Sequence, residues 1–258
     1  MDLGLKGKVA LVTGGTLGIG YACARVLAQE GARVAICGRD QAHLDAALAQ
    51  FAKDGLDVRG HVANVRDTDS VATLMAWVEK EFGALHILVS NAGHGSLGAA
   101  LELDEADWQK ILDTNLSGPW RCGKLAAPLM ARSGGGVIVN MSSMSSRVAF
   151  TGQGAYPVSK AGLNSLTKLM ASELAAKGIR VVAVAPGYTT TEQFVRKRPN
   201  LDELSRSTLL RRLATPEEIG KFVAFLASDA AAYATAEVFE ISGGAFEVRD
   251  PDWSWDRR

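Results

Sequence analysis

The sequence predicts an α/β fold built on a parallel, doubly wound sheet. Two observations carry this. Short apolar, β-rich runs alternate with helical stretches at roughly 30-residue intervals, and the first run breaks into a glycine-rich turn that opens a helix. Such alternation implies right-handed crossovers between parallel strands. Residues 9–13 form the first strand, Gly14-Gly15-Thr16-Leu17-Gly18-Ile19-Gly20 the turn, and a helix runs on through Glu30. Residues 33–37 repeat the buried-strand signature, 41–53 read as a helix and 57–63 as a third strand. A helix over 67–82 leads to a fourth strand, 87–91, and a long helix over 105–132 is expected to deform near Gly118-Pro119. The fifth strand is 136–141, a helix covers 156–177, and the sixth strand is 179–185. After Pro186-Gly187 the alternation pauses: residues 188–213 are polar and arginine-rich and read as a mobile lid. A helix over 216–228, with proline in its first turn, and a seventh strand over 238–241 complete the pattern. No linker or solenoid-period repeat interrupts it, so residues 1–258 read as one domain carrying the lid and a tail from about 245 to 258.

With 258 residues, 47% hydrophobic and 22% charged, the chain can bury a sizeable core. Lys+Arg and Asp+Glu both number 28, so no global field draws it to nucleic acid or an anionic membrane. Cys23, Cys37 and Cys122 are widely spaced and match no metal-ligand pattern; they read as buried thiols of a reduced protein, and no metal is expected. Met1 to Lys8 lacks the apolar core of a signal peptide, and no stretch reaches the roughly 18 apolar residues of a membrane span. A cytoplasmic location is the expectation.

Two stretches suggest chemistry. In the glycine turn the backbone can approach a pyrophosphate, whose charge the N–H groups at a helix start favour, although tight strand-to-helix turns use glycine for steric reasons too. In Tyr156-Pro157-Val158-Ser159-Lys160, residues four apart share a helix face, and a cation there would lower the phenol's pKa toward working pH. Pro157 fits if the helix starts just before it. By itself the pair is equally a surface feature.

Thr13-Gly14-xxx-Gly18-Ile19-Gly20, Asn91-Ala92-Gly93, Asn115, Ser143, Tyr156-xxx-Lys160 and Pro186-Gly187-xxx-Thr191 resemble, in order and spacing, the short-chain dehydrogenase/reductase family from Val9 to about Gly244. The resemblance implies a Rossmann-type, three-layer αβα domain with a seven-stranded parallel sheet, and a homotetramer with a dimer as the alternative. It also implies hydride transfer between a nicotinamide dinucleotide and a small carbonyl or secondary alcohol. Tyr156 would exchange a proton with the substrate oxygen. Lys160 would lower the tyrosine's pKa and hydrogen-bond the nicotinamide ribose. Ser143 would stabilise charge developing on the substrate oxygen; the thirteen-residue spacing to Tyr156 prefers it to the adjacent Ser142. Asn115 would anchor a water linking Lys160 to solvent, or else satisfy local backbone at a helix kink.

The resemblance places the cofactor against Gly14, Thr16, Leu17, Gly18, Ile19 and Gly20 of the turn, Arg39, Asn64 and Val65, and Asn91, Ala92 and Gly93. Tyr156 and Lys160, then Pro186, Gly187, Thr189 and Thr191, complete its contacts. NADP(H) is expected over NAD(H). Where NAD-preferring relatives carry aspartate there is Gly38, and Arg39 follows, able to accept a 2′-phosphate. Against this stand Leu17, where many NADP enzymes carry a second base, and Asp40, which could swing in. Asn64, Ser90 and Glu240-Ile241-Ser242-Gly243-Gly244 depart from the family's common pattern.

Substrate walls are expected from His94, Ser143, Met144, Arg147, Phe150, Gln153, Tyr156 and Tyr188. In the lid, Arg196, Lys197, Arg198, Arg206, Arg211 and Arg212 either clamp an anionic group or form a solvated face. Trp253 and Trp255 suggest that the tail packs on the body or across a subunit boundary. Other functions considered on this fold are a lyase, dehydratase or epimerase, and a non-catalytic nucleotide-binding regulator.

Overall fold

The computed structural model describes residues 2–95, 98–245 and 247. The expected packing of Trp253 and Trp255 lies outside them. Seven parallel strands, β1 (Val9–Thr13), β2 (Arg33–Gly38), β3 (Val58–Val62), β4 (Ile87–Ser90), β5 (Gly136–Met141), β6 (Ile179–Pro186) and β7 (Val238–Ile241), form one sheet in the order β3-β2-β1-β4-β5-β6-β7. The chain winds outward from β1 to β3, then crosses back to lay β4 on the other side of β1. That reversal opens a crevice beyond the carboxyl ends of β1 and β4, where such sheets bind ligands.

The inner strands β1, β2, β4, β5 and β6 are largely apolar on both faces because both are covered, whereas the edge strand β3 is more exposed. Ala10 and Val12 pack in the layer of α1 (Gly18–Gln29), α2 (Gln41–Lys53) and the C-terminal helix over 216–227. Val9 and Leu11 point the other way, into the layer of α3 (Thr68–Phe82) and the helices over 118–132 and 156–174. Asp40 and Asp67 accept backbone N–H bonds at the starts of α2 and α3. Gly83, at φ 75°, ends α3 in a left-handed turn.

The long helix of residues 105–132 is α4 (Glu105–Leu112), a π-helical turn over Asp113–Ser117, and α5 (Gly118–Arg132). The distortion therefore precedes Gly118-Pro119, and Pro119 occupies the first turn of α5, where its missing N–H is tolerated. α6 (Tyr156–Leu174) starts at Tyr156 with Pro157 in its first turn, as expected. The lid segment is not featureless: it holds α7 (Glu192–Lys197) and α8 (Leu201–Arg206) before α9 (Pro216–Ala227). Among the described residues no helix is long and apolar enough to cross a membrane.

Candidate active site

The turn between β1 and α1 is held from the neighbouring strand. Thr13 Oγ1 accepts the N–H groups of Asn91 and Ala92 at 3.0 and 3.1 Å. Asn91 Nδ2 donates back to the carbonyls of Thr13 and Gly14 at 3.0 and 3.1 Å. Gly14 and Gly18 sit at φ 65° and 57°, conformations that favour glycine. Leu17 precedes α1 without a side-chain cap, so no side chain occupies the helix start, and Leu17 itself is exposed. Thr191, which caps α7, lies 3.2 Å from where a Cβ on Gly18 would stand, so the lid begins on the glycine turn. A bare backbone turn at a helix N-terminus at the sheet's switch point fits a pyrophosphate.

Beyond β2 lie the residues expected to face the adenosine ribose. Gly38 brings no carboxylate, and a Cβ there would stand 2.8 Å from Thr16 Cγ2. Arg39 is exposed and has no hydrogen-bond or ion-pair partner among the described residues. Asp40 is committed: its carboxylate accepts the His43 N–H at 2.8 Å as the cap of α2. Asn64 uses its side-chain oxygen on the Arg66 N–H at 3.2 Å, while Val65 is buried beside Gly118.

The four candidate polar side chains converge at the carboxyl ends of β4 and β5. Ser143, just beyond β5, faces Tyr156 closely enough to lower its pKa. Lys160, one turn along α6 and buried, donates to the Met141 carbonyl at 2.7 Å, its Nζ 5.6 Å from the Tyr156 ring centre. Asn115, in the π-helical turn, is fully buried. Its oxygen accepts the His94 N–H at 2.7 Å, and its amide donates to the His94 carbonyl at 2.9 Å and Ser159 Oγ at 3.0 Å. It thus serves the backbone of the loop after β4 and also reaches α6.

The expected substrate walls are only partly assembled. His94, Gln153 and Tyr188 lie on three segments around the cleft, two of them tied by the bonds of Gly98 to Gly152 and Gly154 and by a bridge to Gln153. Tyr188 packs against Phe194 of α7, ring centres 6.0 Å apart. Met144 is buried and Phe150 half-buried. Arg147 departs from expectation: it forms ion pairs with Glu240 at 2.8 Å and with Glu247, so its charge is neutralised at the β7 edge. The lid cations also divide. Arg212 pairs with Glu218 at 2.6 Å, and Arg211 donates to the Arg206 carbonyl, while Arg198 lies over Phe194. Sequence reasoning named Thr13 and Ser159 within the motifs but gave neither a role: Thr13 holds the turn from β4, and Ser159 meets Asn115.

Residues 14–245 match the family model described as enoyl-(acyl carrier protein) reductase. The chain is 40% identical over 249 residues to a 3alpha-hydroxysteroid dehydrogenase of Mediterraneibacter gnavus, covering 95% of this chain and 99% of the relative. It is 37% identical over 241 residues to a 3-oxoacyl-[acyl-carrier-protein] reductase of Staphylococcus aureus, covering 93% and 98%. The chain belongs to the short-chain dehydrogenase/reductase family. The solved L-sorbose reductase of Gluconobacter frateurii, complexed with NADPH and L-sorbose, is similar at 29% identity and TM-score 0.90 over 96% of this chain and 100% of that one. As a short-chain dehydrogenase/reductase, the protein is an oxidoreductase that acts by hydride transfer on carbonyl or alcohol substrates.

The electrostatics of this short-chain dehydrogenase/reductase differ from the sequence expectation. Burial raises the Tyr156 pKa above its ordinary value, and the influence that lowers it is the hydrogen bond from Ser143, not Lys160. Lys160 is itself desolvated, its pKa pushed down to about 8 from 10.5. Between those values the unfolded chain binds the proton that the folded one has released, so Lys160 makes stability rise with pH across that window. The unfolding free energy of the wild type minus that of Lys160→Met is therefore expected to increase by on the order of 3 kcal/mol from pH 8 to 10.5. Urea titrations at three pH values check this, and a constant difference contradicts it. Cys23 and Cys37, pushed up to about 12, work in the opposite direction above pH 9, but in both proteins alike.

Proposed function

We propose that this chain is an NADP(H)-dependent carbonyl reductase or secondary-alcohol dehydrogenase in which Tyr156 is the acid/base. The observation that carries the reading is the juxtaposition of Tyr156 with Ser143 and with Lys160, whose Nζ lies 5.6 Å from the tyrosine ring, beside a bare glycine turn at the switch point of the sheet. In reduction the Tyr156 hydroxyl gives its proton to the substrate oxygen, and Ser143 holds that oxygen as charge develops. In oxidation Tyr156 takes the proton back. Lys160 offers ammonium hydrogens to a ribose, and Asn115 fixes the His94 loop that borders the cleft. When bound, the nicotinamide supplies or accepts the hydride. The turn 14–20, Asn91, Ala92 and Gly93, and Pro186 to Thr191 are the residues to hold the dinucleotide. Absorbance at 340 nm over a panel of ketones and secondary alcohols, with both cofactors, tests the reading; turnover without net redox change would point to a lyase or epimerase instead.

The NADP(H) preference rests on Gly38, the unpartnered Arg39 and the committed Asp40, and the NADPH-bound sorbose reductase supports it. Arg39→Ala is expected to raise KM for NADPH about 10- to 100-fold, the worth of one charge-assisted phosphate contact, and to leave KM for NADH within about twofold. Equal changes for both cofactors would remove Arg39 from this role. A cytoplasmic homotetramer, or a dimer, completes the proposal, supported by the exposed apolar side chains Trp120, Val158 and Leu169 on α5 and α6.

A further inference from the structure

We propose that Asn164 is a positioning residue for proton transfer: its side-chain amide holds the loop after β5 so that Ser143 meets Tyr156. The inference rests on the roles given above to those two residues.

Asn164 stands four residues after Lys160 and eight after Tyr156, on the same face of α6. Its Oδ1 accepts the Ser142 hydroxyl at 2.6 Å, and its Nδ2 donates to Ser146 Oγ at 2.8 Å. Ser146 Oγ in turn donates to the Ser143 carbonyl at 2.6 Å. One amide therefore grips the residue before Ser143 and, through Ser146, the Ser143 backbone itself. The Ser143 hydroxyl accepts the Ser145 N–H at 3.1 Å, and the same side chain acts on the Tyr156 pKa. Position 164 needs a donor and an acceptor together: a carboxylate offers Ser146 no proton, and an ammonium offers Ser142 no lone pair. Ser142 is only 3% exposed, so losing Asn164 strands a buried hydroxyl and frees the loop.

Neighbouring bonds do not substitute for it. Asn140 Nδ2 donates to Thr167 Oγ1 at 3.0 Å and Lys160 to the Met141 carbonyl, but both anchor the strand, not the loop beyond it. Three of these contacts make a polar seam in which residues 140, 142 and 143 meet 167, 164 and 156 in reverse order. Of the seam residues on α6, Asn164 is the one that reaches past Ser143 to Ser146.

In the full chain, Asn164→Ala is expected to lower kcat for ketone reduction about 10- to 100-fold, the scale on which misplacement of a reacting group acts, with the NADPH KM unchanged. In a Ser143→Ala background the same substitution is expected to change kcat less than about twofold, because the residue it positions is already gone. A loss that merely reflects a weakened fold would multiply in both backgrounds. Loosening Ser143 also weakens the influence that offsets the burial-raised Tyr156 pKa, so the pH midpoint of alcohol oxidation moves further upward in Asn164→Ala. Ser146→Ala, which keeps Asn164, carries the same test if Asn164→Ala does not fold, with a smaller loss and the same non-additivity. Full kcat in either folded variant, or equal losses with and without Ser143, overturns the inference. A fully active Ser143→Ala enzyme overturns instead the role of Ser143 on which it rests.

Discussion

Tyr156→Phe is expected to lower kcat for both ketone reduction and alcohol oxidation by about 10³-fold, within the range that a positioned acid or base contributes. The substitution removes one oxygen and keeps the ring that opens α6. Hydride transfer to a carbonyl leaves an alkoxide unless a proton arrives with it, and the proposed donor is the Tyr156 hydroxyl. Ser143 remains in Tyr156→Phe and stabilises the oxygen without protonating it, so residual turnover is expected above background. NADPH affinity, read from nicotinamide fluorescence, should change no more than about twofold, since the glycine turn and Lys160 are untouched. Turnover near the wild-type level would refute the assignment; loss of both turnover and NADPH binding would mean that Tyr156 supports the site's shape instead of its chemistry.

Gly20→Ala is expected to weaken NADPH binding by about 100-fold or more and to lower Tm. A Cβ at position 20 would lie 2.2 Å from the Gly14 carbonyl oxygen and 2.3 Å from Asn91 Nδ2. Neither can step aside, because these two atoms bond each other and the same amide also holds Thr13. Relief requires α1 to move away from the turn, which displaces the helix start that would meet the pyrophosphate. Overpacking of this kind typically costs about 1–3 kcal/mol, which for a domain of this size lowers Tm by several degrees. Calorimetry and NADPH titration check both parts. Unchanged affinity would show that the turn tolerates displacement and is not a close-fitting phosphate seat.

Much of the scaffold was legible because the elements carry local signals. The alternation of apolar runs located β5 and β7 to the residue, and the Pro157 constraint fixed the start of α6 at Tyr156. What escaped was decided by contacts between distant segments. The deformation of the long helix looked as if it belonged to Gly118-Pro119, yet it lies at Asp113–Ser117, where Asn115 reaches His94 and Ser159. The lid helices α7 and α8 are six residues each, too short to show a period. Arg147 could be placed near the cleft by its position after Ser143, but its partners Glu240 and Glu247 come from about a hundred residues away. Around Tyr156 the sequence indicated both Lys160 and Ser143; what it could not indicate is the bond from Lys160 to the Met141 carbonyl, made while its Nζ stays 5.6 Å from the tyrosine ring.

The crowding of Thr16 against Gly38 constrains how this protein's cofactor preference can be altered. A Cβ at position 38 would stand 2.8 Å from Thr16 Cγ2 and 3.3 Å from its Oγ1. Installing an aspartate there to favour NAD(H) is thus not an isolated charge change, since Thr16 must turn aside or become smaller for the carboxylate to reach a ribose. The two positions, one in the glycine turn and one at the end of β2, behave as a single determinant, and sequence drift at either is coupled to the other.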